Sequence, residues 1–215
     1  MYIPDYGFRT IKDAQLELLV AILENGDEVE NLLEINNVSM MITKPLEESD
    51  ELYNNITKTG RKHLDQMLLK PNPELVKTHY ARLHDWHQIK DEDKITEEIS
   101  KFDQVKECIE RLRENPFSKR CVMTLWSPED INDPYAFSFA LCQLLIRNNK
   151  LIITSYFRGI DAYNAMPFNC LGIAKLQEEI ANTLGVETGE FVIHIGSCHI
   201  YKSNTSEIKK YLNEN

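Results

Sequence analysis

The chain has 215 residues, 42% of them hydrophobic and 27% charged, with 34 acidic against 24 basic side chains and a formal net charge of −10. That balance excludes a general binder of nucleic-acid polymers, which needs a basic footprint for phosphates, but it allows one local anion pocket. No stretch approaches the roughly eighteen consecutive apolar residues of a membrane helix, so no membrane partner is expected.

Length and composition fit one domain over 1–215. The N-terminal Met1–Gly7 lacks the basic and apolar regions of a signal peptide. Five widely spaced cysteines without a C-x-x-C pair read as reduced thiols of a cytoplasmic protein, with no metal site.

In chain order, Ile11, Ala14, Leu18, Leu19 and Ile22 recur at helical spacing over 11–25, and Gly26 is the stop. Asn36–Thr43 reads as a strand closed by Pro45. From Pro45 to Lys94 the pattern is polar and without a clear period, and is expected to hold helices and loops. Thr96 then opens an amphipathic helix carrying Ile99, Phe102, Val105, Ile109 and Leu112, which Asn115-Pro116 ends.

Strands are expected at Cys121–Trp126, Ala136–Ile146, Leu151–Phe157 and Glu190–Ile195. Asn148-Asn149 turns the second into the third, because Asn tolerates positive φ. A helix over roughly Leu171–Leu184, preceded by Pro167-Phe168-Asn169 and closed by Gly185, separates the last two strands. The fold class is α/β (α+β), with an antiparallel strand pair at its centre.

Polar residues fall where these elements end, in Asn115-Pro-Phe-Ser-Lys-Arg120, Tyr156-Phe-Arg158-Gly-Ile-Asp161, Pro167-Phe-Asn169 and Gly196-Ser-Cys-His199-Ile-Tyr201. Singly, each has an ordinary reading. Arg158 and Asp161 read as a surface pair, Asn169 as an N-cap and His199 as a satisfied buried imidazole. Together, the order N-P-x-S-[KR]-R, R-x-x-D, P-F-N and H-[IL]-Y resembles the thymidylate synthases and related pyrimidine-nucleotide hydroxymethylases. The resemblance covers about Asn115–Ser203. It is closest to archaeal-type synthases in Arg147-Asn-Asn-Lys-Leu151 and His199-Ile-Tyr-Lys202.

The resemblance implies a three-layer fold whose mixed sheet packs sheet-to-sheet in a homodimer. It assigns Arg158 to a nucleotide phosphate, Lys119 and Arg120 to the same phosphate across the dimer, and Asn169 to a uracil edge. It assigns His199 and Tyr201 to the sugar hydroxyl, and Asp161 to ordering the site beside methylenetetrahydrofolate. The expected partner is a pyrimidine nucleoside monophosphate. Counting twenty residues back from Arg158, Ser138 stands where the family's nucleophilic cysteine belongs. A hydroxyl is a far weaker nucleophile than a thiolate without an activating base.

Cys142 is expected in the core on the same strand face as Ser138, and Cys170 and Cys198 as packing thiols near the pocket. Gly159 and Ser197 replace a family serine and aspartate, and the family's phosphate loop is here the acidic Gly26-Asp-Glu-Val-Glu-Asn31. Glu51 is a candidate for the family's active-site glutamate, and Tyr80 and Arg82 for substrate-facing residues. Two functions follow: a diverged C5 one-carbon transferase, or an inactive nucleotide-binding homologue serving as a sensor or partner subunit.

Overall fold

Thr10 begins the first helix with a reciprocal cap. Its hydroxyl accepts from the Asp13 N–H at 3.1 Å, and the Asp13 carboxylate accepts from the Thr10 N–H at 2.9 Å. Helix α1, Ile11–Asn25, buries Ile11, Ala14, Leu18, Leu19 and Ile22 and stops at Gly26, as the spacing predicts.

The computed structural model describes residues 7–55, 60, 61, 64, 78–87 and 101–215. After α1 come β1 (Asp27–Val29), β2 (Leu32–Ile42), α2 (Ser49–Asn55), α3 (His79–His84) and the short pair β3 (Trp86–His87) and β4 (Lys101–Phe102). Then follow α4 (Gln104–Glu114), β5 (Val122–Thr124), β6 (Phe139–Arg147), β7 (Lys150–Asp161), α5 (Met166–Leu184), β8 (Glu187–Tyr201) and α6 (Thr205–Glu214). Among the described residues no helix is long and apolar enough to cross a membrane.

Six strands form one mixed sheet in the order β1-β2-β8-β7-β6-β5. Only β7 and β8 run parallel, joined through α5, as a parallel pair requires. Helices α1 and α5 pack on one face of the sheet, over a core that includes Phe139, Phe157, Ile153, Phe191 and Ile193. Met41, Val122, Leu141 and Tyr156 are exposed on the sheet strands. The tight turn at Asn148 and Asn149, with φ of 50° and 59°, and the left-handed Gly185 at 71° are the ones the sequence predicts.

The sheet changes phase along one line. Buried residues step by three rather than two, from Phe139 to Cys142, Phe157 to Ile160 and Ile195 to Cys198. Ala140 is the extra residue on β6, and pairing passes over Asn37 on β2, which sits at φ 55°. At Gly196 a Cβ would lie 2.7 Å from the Arg158 carbonyl oxygen, so β7 and β8 approach there as only glycine permits.

Several expectations change. Asp103 caps α4 by accepting from the Lys106 N–H at 2.9 Å, so the helix opens at Gln104 rather than Thr96. Phe102 lies in the β3–β4 pair and is exposed, while Thr96 and Ile99 lie outside the described residues. Strands β7 and β8 run further than predicted, so Arg158, Asp161, His199 and Tyr201 are strand residues rather than loop residues. The inserted Ala140 also breaks the parity between Ser138 and Cys142: Phe139, not Ser138, shares the core face with Cys142. Helix α5 starts at Met166 with Ala165 at its N-cap, so Asn169 is not the cap.

Candidate functional site

Beyond the phase change, strand register gathers the polar residues. Asp161 on β7 pairs with His199 on β8, which pairs in turn with Glu34 on β2. Paired residues share a face, and this face is opposite the buried Ile160 and Cys198. Tyr201 follows two residues along, its ring edge-on to His199 at 5.9 Å and 89°. The Nδ1 of His199 is buried and has no hydrogen-bond partner among the described residues.

The two carboxylates beside His199 are employed differently. Both oxygens of Asp161 serve its own turn: Oδ1 accepts from the Tyr163 and Asn164 N–H groups at 2.9 and 3.0 Å, and Oδ2 from Asn164 Nδ2 at 2.8 Å. That turn leads into α5, where Asn169 Nδ2 donates to the Ala165 carbonyl at 2.9 Å and Oδ1 has no partner among the described residues. Glu34 instead reaches along β8, accepting from Ser197 Oγ at 2.6 Å and from Asn36 Nδ2 at 3.2 Å. Nothing in the sequence pattern singles out Glu34. Only the pairing of β2 with β8 brings it beside His199, 165 residues further along the chain.

Arg158 is tied to the segment that carries Ser138. Its Nε donates to the Phe137 carbonyl at 3.1 Å, its Nη2 to the Ala136 carbonyl at 2.8 Å, and its backbone N–H to the Ser138 carbonyl at 2.9 Å. Trp126 Nε1 also donates to Phe137 O at 2.8 Å, with the Arg158 guanidinium 5.9 Å from its ring centre. Three of the five guanidinium N–H groups remain available on an exposed side chain. Ser138 is half-buried in the bend before β6, and no base bonds its hydroxyl among the described residues.

Helix α3 backs this segment. The His79 ring lies tilted against Phe137 at 4.6 Å and 42°, and Arg82 pairs with the buried Asp130 at 3.0 Å while lying over Trp86. Tyr80 stacks on His84 at 4.3 Å. Glu51 goes elsewhere: it is exposed on α2 and faces Lys12 of α1 at 3.4 Å, on the helical side of the sheet.

Lys119 and Arg120 are exposed before β5, and one chain does not bring them to Arg158. The Lys119 carbonyl accepts from Gln143, whose cross-strand partner is Thr154, four residues and roughly 13 Å along β7 from Arg158. The acidic hairpin β1–β2 is clipped by Lys202, whose Nζ donates to Glu28 at 2.8 Å and to the Glu30 carbonyl at 3.0 Å.

All five cysteines are free and buried. Burial pushes the Cys108 and Cys198 thiols up to about 12 and raises those of Cys121, Cys142 and Cys170 as well. Cys170 on α5 and Cys198 on β8 are both fully buried, so both are packing residues.

The sequence profile of the family described as Thymidylate synthase matches residues 46–215, and the chain belongs to that family. Over 112 residues it is 34% identical to a thymidylate synthase of Listeria monocytogenes serotype 4a and 33% identical to one of Listeria innocua serovar 6a. Each match covers 52% of this chain and only 36% of the relative.

Proposed function

We propose that this chain binds a pyrimidine nucleoside monophosphate, of uracil type, in a pocket over the polar ends of β7 and β8. The observation that carries the reading is the single register of Asp161, His199 and Tyr201 beside an Arg158 that keeps three free donors. In this reading Arg158 takes the phosphate as a planar fork, His199 and Tyr201 the sugar hydroxyl, and Asn169 the base, through its unpartnered Oδ1 and remaining amide hydrogen. Lys119 and Arg120 complete the phosphate site from a second copy, which docks through the sheet face that exposes Met41, Leu141 and Tyr156. The whole chain, 1–215, is then one domain of a homodimer.

Methylenetetrahydrofolate fits beside Asp161, where Oδ2 retains one acceptor position for a pterin N–H. Bound there, it supplies the one-carbon unit. Ser138 stands in the nucleophile's place in this reading, but with neither a base nor an exposed thiol near it among the described residues the covalent step is handicapped. The reaction is therefore a C5 one-carbon transfer, or a related modification, performed without the thiol.

Those same two features favour the second reading, a nucleotide-binding homologue that acts as a sensor or partner subunit. Deoxyuridylate and uridylate, each labelled with tritium at C5 and given with methylenetetrahydrofolate, separate them. Tritium release at an enzymatic rate establishes the transferase. Calorimetric binding without release establishes the binder, and absence of binding by any pyrimidine monophosphate overturns both.

A further inference from the structure

We infer that Glu34 makes this pocket select ribose over 2′-deoxyribose, an inference that rests on the reading that His199 and Tyr201 hold the sugar. Glu34 stands directly opposite His199 on the antiparallel neighbour, so their Cβ atoms are about 4.5–5.5 Å apart on the same face. Its carboxylate is half-buried and is fixed from one side by Ser197 Oγ at 2.6 Å and Asn36 Nδ2 at 3.2 Å. An ionised carboxylate only accepts, and two of its roughly four lone-pair positions remain unfilled.

A cis-diol meets that requirement. One hydroxyl engages His199 and Tyr201, and its neighbour donates to the Glu34 carboxylate, a charge-assisted hydrogen bond. In a 2′-deoxy sugar that neighbour is a C–H. Binding it would strip water from the carboxylate and return nothing, which is how a site built for a hydroxyl rejects its absence. Asp161, on the other side of His199, does not compete for this role: three hydrogen bonds from its own turn fill most of its acceptor positions, and the one left on Oδ2 is the position proposed for the pterin.

Calorimetry on the intact chain tests this with uridine 5′-monophosphate and its 2′-deoxy counterpart. The unaltered protein should bind the ribonucleotide tighter by roughly tenfold or more. Glu34→Gln keeps an oxygen for Ser197 and removes the charge, and should reduce that ratio to near unity. Glu34→Ala should do the same, with circular dichroism checking that each variant is folded. His199→Ala should weaken both nucleotides together.

Equal affinities in the unaltered protein, a preference for the deoxynucleotide, or a ratio unmoved by both Glu34 variants each overturn the role of Glu34, while the nucleotide reading survives. If neither nucleotide binds, the sugar site itself is refuted and this inference falls with it.

Discussion

The sheet is two different objects on either side of its phase change. Below it, β6, β7 and β8 alternate a buried, mostly apolar residue with a partly exposed one, and the helices cover the buried set. Above it the same strands carry Arg158, Asp161, Ser197, His199 and Tyr201, and polar side chains spend their hydrogen bonds on turns and neighbouring strands. The lower half is held by packing and tolerates little change of volume. The upper half is held by directional bonds, and its side chains retain spare donors and acceptors. Strict alternation from Cys142 could not serve both: its inward positions would be Ala140 and Ser138, and Phe139 would turn away from the core.

Breaking the lower half should have the largest effect. Phe157→Ala empties a fully buried ring site in contact with Phe139, and should cost about 3–5 kcal/mol in chemical denaturation. Arg158→Ala attacks the boundary. It frees the Ala136 and Phe137 carbonyls and removes the proposed phosphate fork, so nucleotide affinity should fall by about 2–5 kcal/mol in calorimetry, with a smaller loss of thermal stability.

Gly196→Ala tests the phase change itself. The added methyl meets the Arg158 carbonyl, and a destabilisation of about 1–3 kcal/mol is expected. Asp103→Ala, remote from both halves, removes one cap and should cost about 1 kcal/mol without altering nucleotide binding.

A chemical probe sharpens the contrast without a stability change. With thiols raised by burial, the native protein should resist iodoacetamide at pH 8, and all five cysteines should react in denaturant. Rapid labelling of one native cysteine would reveal an accessible thiol and a rival to Ser138. Ser138→Cys should itself label natively, since its position is half-buried rather than closed.

The two halves also differ in how far the sequence discloses them. Helical spacing places α1, and the Asn-Asn turn and Gly185 place the ends of β6 and α5, because each signal is local. The strand ends are less legible, because polar residues at 158–161 and 196–201 resemble loop composition although they continue the ladder. The onset of α4 is hidden in the sequence because Phe102 keeps the helical period, while Asp103 caps the first-turn N–H group.

Of the site, the arginine, aspartate, asparagine, histidine and tyrosine are visible as a resemblance. The supports are not. Trp126 on Phe137, Arg82 on Asp130 and Glu34 on Ser197 join residues whose separation in sequence carries no motif. Helix α6 is a further addition of the structure; it docks through Ile208 and through Tyr211, whose hydroxyl donates to Gln15 at 3.4 Å.

The pairing of β2 with β8 has a consequence for the order of assembly. Leu32–Ile42 meets its partner only when Phe191–Tyr201 is available, so a ribosome must pass Tyr201 before that edge is sealed. Closing so long a loop is slow, and until then β2 presents an unpaired strand edge to other nascent chains. The acidic β1–β2 hairpin, with Asp27, Glu28, Glu30 and Glu34, gives that waiting edge a negative charge that keeps its copies apart.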